Sequence, residues 1–278
     1  MSIMNEEQNN LNKYISDKLS EGQEPWQFLT DSLCDIYGMR TITEALHASD
    51  GGGMDASQIV WAFVPSVISN SPFEIKELQS LPGLLMNCHI CEDADELACA
   101  LKEGFRSLND VPALVSSSLL QVMTPRTVAK AMCSEDGGGY SPELTARAMA
   151  SYSGGMIRPE FVAVALYSAD GANLSAEGVA RALSDDGLAL RDENLVDILN
   201  SELGLGLSHE ETAKALYYTD GANMSTERVA NALWNGLKDE YDGEYSIDDV
   251  KDIMIHADFP RLIVEKTLEE IVNEQIKP

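Results

Sequence analysis

Basic residues are scarce in this sequence, and their scarcity narrows the classes of partner. Nineteen Lys and Arg face 46 Asp and Glu, which gives a net charge of −27. A surplus of this size repels nucleic acid and anionic membranes, and it attracts cations and basic protein surfaces. We therefore expect no direct binding to nucleic acid or to a membrane, and the expected partner is a protein with a basic surface.

The sequence also lacks the features that mark exported and membrane proteins. Its first ten residues, MSIMNEEQNN, have neither the basic nor the apolar region of a signal peptide. No window approaches the roughly eighteen apolar residues of a membrane-spanning helix. Five cysteines, an odd number in a chain of 278 residues, do not indicate a disulfide framework. The expected location is the reducing cytoplasm.

Signatures of catalysis are missing as well. None of the four histidines falls in a metalloprotease or nucleophile-elbow pattern, and His209, just after a helix start, is expected to face solvent. The glycine clusters 51–53 and 137–139 match neither Walker nor Rossmann spacing, and the neighbouring Asp residues would repel phosphate. A metal-dependent enzyme is therefore the least favoured class, and no cofactor is expected.

What the sequence does contain is a repeat of about seventeen residues. ALYSADGANLSAEGVARAL at 165–183 returns as ALYYTDGANMSTERVANAL at 215–233, with thirteen of nineteen positions identical. Further copies fill residues 131–252, and one clear copy lies upstream at 45–61. The two closest copies are three units apart.

Each unit predicts one short helix and one tight connection. Serines stand where helix N-caps are expected, at Ser141, Ser175, Ser208, Ser225 and Ser246. An acid follows each of them two residues later, which favours the positive end of the helix dipole. Glycines that can take the left-handed conformation and close a helix are Gly137, Gly171, Gly187 and Gly221. The predicted fold is all-α, an α-solenoid-like array of short antiparallel helices.

The repeat is regular only in the later part of the chain. We expect an irregular N-terminal helical region over 1–110 and a regular helical-repeat region over 111–278, continuous with the first as one solenoid. Within the first region, residues 92–105 predict an amphipathic helix. Residues 71–81 predict a second helix, capped by Ser71.

The two Asp-Gly-x-Asn connections have two interpretations. Asp170 and Asn173, repeated as Asp220 and Asn223, bring oxygen-bearing side chains close together, which suits a hard cation such as calcium. The spacing is not that of an EF-hand loop, however. Turn formation and helix capping explain every one of these residues, so the structural interpretation is favoured.

The densest acidic stretch, 238–249, resembles an EF-hand loop in outline only. Lys238 occupies the first ligand position, and Asp249 is shorter than the Glu that normally stands twelfth. An acidic insertion within a repeat is favoured over a metal site. The residues expected to contact the partner are Asp239, Glu240, Asp242, Glu244, Asp248 and Asp249, together with Asp170, Asn173, Asp220 and Asn223.

One further group of residues could bind a metal ion. Cys88 and Cys91 form a CxxC pair with His89 between them, and Cys99 follows, so three thiolates and an imidazole are present. No second CxxC or HxxxH completes a zinc motif. Cys99 lies in the apolar stretch LACAL, where we expect a buried thiol that packs as a small hydrophobe. No metal site is therefore assigned.

Three functions remain, in order of preference. The first is a non-enzymatic interaction scaffold or inhibitor that binds a basic protein surface. The second is a DNA mimic that occupies the nucleic-acid groove of a DNA-binding or defence protein. About sixteen short helices, paired at ~9.5 Å spacing, would form a rod about 75 Å long, and duplex DNA of that length carries roughly 45 phosphates. The third is a metal-dependent enzyme. A homodimer also fits, because end units of a solenoid need a polar cap or a partner.

The calcium alternative leads to a direct test. If turn formation and capping account for the Asp-Gly loops and the 238–249 stretch, isothermal titration with millimolar calcium will give no heat of binding beyond dilution. A measurable heat with defined stoichiometry would instead support an oxygen-ligand cation site.

Overall fold

Helices joined by short connections make up the residues that the computed structural model of the chain describes, which are 2–29, 31–68, 75–151, 157–184, 187–240 and 245–275. No strand occurs in these ranges, so the all-α class is confirmed for them. None of their helices combines the length and the apolar character required to cross a bilayer.

The helices are divided between two compact units. Unit 1 comprises residues 1–124 and 131–140, and unit 2 comprises residues 125–130 and 141–278. The first eight helices are α1 (Ser2–Ser20), α2 (Pro25–Phe28), α3 (Asp31–His47), α4 (Ala56–Ile68), α5 (Ile75–Asn87), α6 (Ala94–Gly104), α7 (Val111–Leu119) and α8 (Pro125–Cys133). The remaining helices are α9 (Pro142–Ala150), α10 (Pro159–Tyr167), α11 (Ala176–Leu183), α12 (Asp192–Asn200), α13 (His209–Tyr217), α14 (Thr226–Glu240), α15 (Ile247–His256) and α16 (Arg261–Gln275).

These units are defined by packing, whereas the regions 1–110 and 111–278 are defined by the regularity of the repeat. That division stays a prediction. The helix predicted at 92–105 is confirmed as α6, whose N-cap Asp93 accepts a hydrogen bond from the amide of Glu96. The helix predicted at 71–81 overlaps α5, and its predicted cap Ser71 lies outside the described residues.

Unit 1 packs its helices around α4. Helix α4 contacts α2, α3, α5 and α6, while α3 also contacts α1. Its fully buried side chains include Ile42, Phe63 and Leu97. Helix α3 is interrupted at Gly38, whose positive φ of 72° breaks the helical path.

Unit 2 repeats one packing pattern. From α9 to α16, each helix contacts the next helix and the next but one. Helices α9 to α13 bury the same stripe of four positions, which in α11 is Val179, Ala180, Ala182 and Leu183. Alanine in this stripe allows neighbouring helices to approach closely, because it adds little bulk at the contact. The contacts are consistent with the predicted array.

Two polar contacts show how α9 and α11 are oriented. Glu143, in the first turn of α9, pairs with Arg181 of α11, with Oε1 and Nε 2.9 Å apart. One turn later, Nε of Arg147 donates to the carbonyl of Gly187, just beyond the end of α11. Because both contacts advance along the two helices in the same order, α9 and α11 run in the same direction.

The predicted serine caps are confirmed. Each hydroxyl oxygen accepts a hydrogen bond from the amide three residues later, at 3.2–3.3 Å. These five caps are Ser141, Ser175, Ser208, Ser225 and Ser246. Arginine stands at the corresponding position of α10 and α12 and makes no side-chain cap bond. The serine caps satisfy amides that the first turn of a helix leaves free.

The connections share one backbone arrangement. In the loop after α10, the amides of Gly171 and Asn173 both donate to the carbonyl of Ser168, at 2.9 and 3.2 Å. The amides of Ala172 and Leu174 donate to Ala165 and Leu166, in the last turn of the helix. The same set of hydrogen bonds recurs in five other loops, where the place of Ser168 is taken by Ala48, Ser134, Ser184, Ser201 and Tyr218. In the loop after Ser184, the two helix carbonyls that accept lie one residue later than in the other loops. Each loop thus satisfies the carbonyls that its own helix leaves free.

The first glycine of each loop is required because the loop backbone passes close to a carbonyl of the preceding helix, and not because its own backbone is left-handed. A Cβ at Gly171 would lie 1.9 Å from the carbonyl oxygen of Ala165, and the equivalent distances in the other five loops are 1.6–2.2 Å. The prediction that Gly137, Gly171, Gly187 and Gly221 take the left-handed conformation is therefore wrong, because none of them has a positive φ.

The left-handed residue is the one two positions further on. In the six loops this residue has a φ of 52–63° and is Gly53, Gly139, Asn173, Ala189, Gly206 or Asn223. Asparagine tolerates this conformation better than most residues. The recurrence of Asn173 and Asn223 at this position therefore has a structural cause.

Alanine substitutions at two glycines of unit 2 will have opposite effects. Gly171→Ala should lower the free energy of unfolding by about 1–3 kcal/mol, because its Cβ collides with backbone. Gly178→Ala, within α11, should raise it by about 0.5–1 kcal/mol, because the nearest atom to the added Cβ is 3.4 Å away. Urea unfolding monitored by circular dichroism measures both, and equal destabilisation by the two changes would contradict the loop geometry.

Candidate partner-binding surface

The Asp-Gly loops place their conspicuous residues in structural roles. Asp170 pairs with Arg126, whose Nη1 lies 3.1 Å from Oδ2. The hydrogen bond from Arg126 holds the pKa of Asp170 below its ordinary value. Asn173 supplies the left-handed residue of the same loop. This carboxylate is thus partly neutralised within the chain, although its side chain stays 65% exposed.

Asp220 occupies the equivalent place in the loop after α13 but has a different environment. It is exposed, and within the described residues no cation pairs with it. Asn223 again supplies the positive φ. Of the two matched loops, only the second therefore offers an unpaired carboxylate to a partner.

The acidic stretch 238–249 is not a single loop. Helix α14 extends to Glu240, so Lys238, Asp239 and Glu240 are helical and an EF-hand loop does not begin at Lys238. Asp242 and Glu244 lie outside the described residues. The stretch ends in the first turn of α15, where two of its acids are described.

Asp248 and Asp249 are adjacent and exposed, but they have different roles. Asp249 accepts hydrogen bonds from the amide and the hydroxyl of Ser246, at 2.7 and 2.6 Å. The hydroxyl bond is the main reason that the pKa of Asp249 lies below its ordinary value. Asp248 makes no such bond within the described residues and points an unengaged carboxylate to the surface. Only Asp248 is therefore available for contacts outside the chain.

A groove in unit 2 lies beside Asp248, between α15 and α16. Its volume is about 350 Å³. Helix α15 contributes Ile247, Asp248 and Lys251, and α16 contributes Glu265, Leu268, Glu269, Val272 and Asn273. We name this the α15–α16 groove. Sequence analysis missed the α16 residues, although acidic and apolar residues at 265, 268, 269 and 272 already share one helix face.

Unit 1 contains a larger cleft, of about 750 Å³. The apolar residues Leu19, Met54 and Trp61 line it together with polar groups that include Asp55, Glu103 and Arg106. Asp55 is already engaged, because it accepts from the hydroxyl of Ser57 and the amide of Gln58 at 2.8 and 2.9 Å. The lining comes from three separate segments, 19–25, 52–61 and 103–106, which is why no sequence motif indicated it.

The cysteine cluster differs from the expectation. Cys99 is exposed, not buried, because it lies on the face of α6 opposite Leu97, Ala98 and Leu101. Cys91 is buried, and that burial raises the pKa of its thiol to about 12. Cys88 donates weakly to Glu44, with Sγ and Oε1 3.6 Å apart. Within the described ranges, no three His, Cys, Asp or Glu side chains come together closely enough to hold a metal ion.

His209 also departs from its prediction. It is half-buried and lies against Tyr245, with Nδ1 2.8 Å from the tyrosine hydroxyl and the rings edge to face. Tyr245 directly precedes the cap of α15, and His209 opens α13. Two helices that pack together therefore bring these rings into contact, so His209 does not simply face solvent.

Comparisons with family models, curated proteins and solved structures find no match to this chain. Its binding chemistry therefore has to be inferred from charge and geometry. Unit 2 contains 26 acids and 13 bases. In the described part of the unit, seven of these bases pair with its acids: Arg126, Arg181, Lys214, Arg228, Lys251, Arg261 and Lys266.

The closest of these pairs is bidentate. Nε and Nη2 of Arg228 lie 2.6 and 2.7 Å from the two carboxylate oxygens of Asp192. The pair joins the first turns of α14 and α12, so this base holds the array together. More than half of the basic groups in unit 2 are thus used within the fold, while acids are left over at its surface.

Alkylation will distinguish the two thiols of α6 and its preceding turn. Iodoacetamide at about pH 8 should modify Cys99 well before Cys91, because the thiolate is the reactive form and the pKa of Cys91 is about 12. Peptide mapping by mass spectrometry gives the order. Addition of EDTA should not change it. Joint protection of Cys88, Cys91 and Cys99 that EDTA removes would instead indicate a metal site.

Proposed function

We propose that this chain is a non-enzymatic, acidic helical-repeat protein that binds a protein with a basic surface, as a scaffold or an inhibitor. The charge imbalance carries this proposal: 46 acids against 19 bases leave a surplus of 27 negative charges that no base in the chain can neutralise. Self-repulsion among like charges destabilises a compact fold. A basic partner relieves that repulsion, so binding and folding favour each other.

The solenoid-like form of unit 2 is part of the same proposal. Contacts between each helix, the next and the next but one are what a stacked array requires. The shared direction of α9 and α11 supports it, because alternate helices of such an array are parallel. Stacked helices offer an extended surface, and this suits contact with another macromolecule better than with a small substrate.

DNA mimicry is the narrower form of this function. Here the basic partner would be a nucleic-acid-binding protein, and the carboxylates would stand in for phosphates. The number of acids agrees with the roughly 45 phosphates of duplex DNA about 75 Å long. Some of these acids pair with bases and others cap helices, so fewer carboxylates are left to take the place of phosphates. General binding to a basic protein is therefore preferred.

Affinity capture tests the proposal. The full chain, biotinylated and immobilised, should retain a basic protein from a lysate of the source cells at about 0.1 M salt and release it at about 1 M, where the Debye length falls to about 3 Å. Beads coated with poly-glutamate are the control, because proteins captured equally by both bind any polyanion. Competing duplex DNA should displace the partner only if the chain is a DNA mimic.

The outcome that contradicts the proposal is also defined. If every specific partner is acidic, or is retained unchanged at high salt, then charge is not the basis of recognition. Turnover of a defined small substrate by the purified chain would overturn the non-enzymatic assignment.

A further inference from the structure

The α15–α16 groove combines an apolar interior with an acidic edge. Leu268 is buried, and Ile247 and Val272 are half-buried. Asp248 and Glu269, which also line the groove, are exposed. Apolar side chains therefore lie deeper than the two carboxylates. An occupant must bring both apolar surface and positive charge to match this arrangement.

Among the described residues that line the groove, Lys251 is the one base, and it is already engaged. Lys251 pairs with Glu265, with Nζ 3.0 Å from Oε1, and Nε of Arg261 lies 3.1 Å from the same oxygen. No cation pairs with Asp248 or Glu269 in the described part of the chain. These two carboxylates are thus free to bind a partner, and the described lining of the groove has no free base to repel one.

Helix α16 extends the same surface beyond the groove. Leu262 lies seven residues before Glu269, which is two helical turns and places both on one face. Its side chain is 82% exposed, the most exposed of the large apolar residues described. From Leu262 to Asn273 the face is about 16 Å long, since a helix rises 1.5 Å per residue. A helical segment of about eleven residues would cover it.

Other occupants suit the groove less well. A second copy of the chain would bring its own net charge of −27 to an acidic surface. Nucleic acid and anionic lipid are repelled for the same reason. A bare metal ion would need several ligands in one place, and no such group of three is found among the described residues. A basic segment with an apolar face meets both requirements.

We infer that the α15–α16 groove is the docking site for a basic amphipathic helix of the partner protein. This inference rests on the proposed function and names its site. Apolar side chains of the partner helix lie over Ile247, Val272 and Leu262, while its Lys or Arg side chains pair with Asp248 and Glu269. This is the helix-in-groove mode of recognition, in which spaced apolar anchors give affinity and flanking charges give orientation.

Defined peptides test the inference without a known partner. Fluorescein is attached to a Lys/Leu peptide of about fourteen residues, with leucines at helical i, i+3, i+4 spacing. Two controls are a peptide of the same composition in scrambled order and a Glu/Leu peptide with the original spacing. Fluorescence anisotropy with the full chain should show saturable binding of the first peptide, about tenfold weaker binding of the scrambled peptide, and none of the acidic one.

Matched variants locate the binding to the groove. Glu269→Lys and Leu262→Ser should each weaken Lys/Leu peptide binding by about tenfold. The controls are Glu202→Lys and Leu203→Ser, which change an exposed acid and a 66% exposed leucine in the loop after α12. They should alter the affinity less than about twofold. Far-ultraviolet circular dichroism and melting temperature confirm that all four variants fold.

Three results would overturn the docking site. Equal weakening by the controls would mean that the peptide senses overall charge only. Leu262-dependent dimerisation in sedimentation equilibrium would assign the groove to a second copy. Capture of the lysate partner unchanged by Glu269→Lys would place its binding elsewhere, yet leave the proposed function standing. If the peptide binds but the lysate contains no partner that is released by salt, the proposed function fails while the groove still binds a basic helix.

Discussion

Loop amides that reach back to the carbonyls of the preceding helix are the interaction on which the regular part of this chain depends. A nine-residue helix is too short to be stable alone, and its final carbonyls would be left without partners. In the loop after α10, four amides satisfy such groups within seven residues. Only a residue without Cβ fits at Gly171, because the loop passes so close to the helix. That close approach keeps the connection short and lets α11 pack where it does.

Charge imposes the second constraint, and the fold manages it locally. Acids in the first turn interact favourably with the helix dipole, and others pair with the few bases, as Asp192 does with Arg228. The first use places carboxylates at helix starts, whereas paired acids also lie in loops, as Asp170 does, and the remaining acids lie at the surface. The α15–α16 groove is where leftover carboxylates lie beside apolar surface. Stability and binding are therefore linked through the same residue type.

Local features could be predicted from the sequence, and long-range ones could not. The all-α class, helix α6 and the five serine caps follow from spacing and capping chemistry, which involve residues only a few positions apart. The prediction assigns the left-handed conformation to Gly171 and not to Asn173, because Asp-Gly-x-Asn alone does not show which residue crosses a carbonyl and which turns left-handed. The exposure of Cys99, the contact of His209 with Tyr245 and the α15–α16 groove depend on which helix faces pack together, and one sequence does not contain that information.

The self-contained loop has a consequence for the history of this chain. Because each connection completes its hydrogen bonds with its own helix, a seventeen-residue segment contains both the residues that begin its helix and the loop that ends it. Tandem duplication could add or remove blocks of such segments while preserving the contacts on either side. The match of 165–183 with 215–233, identical at thirteen of nineteen positions and three units apart, is what copying of a three-unit block would leave. The length of the array is then free to adapt to the size of whatever it binds.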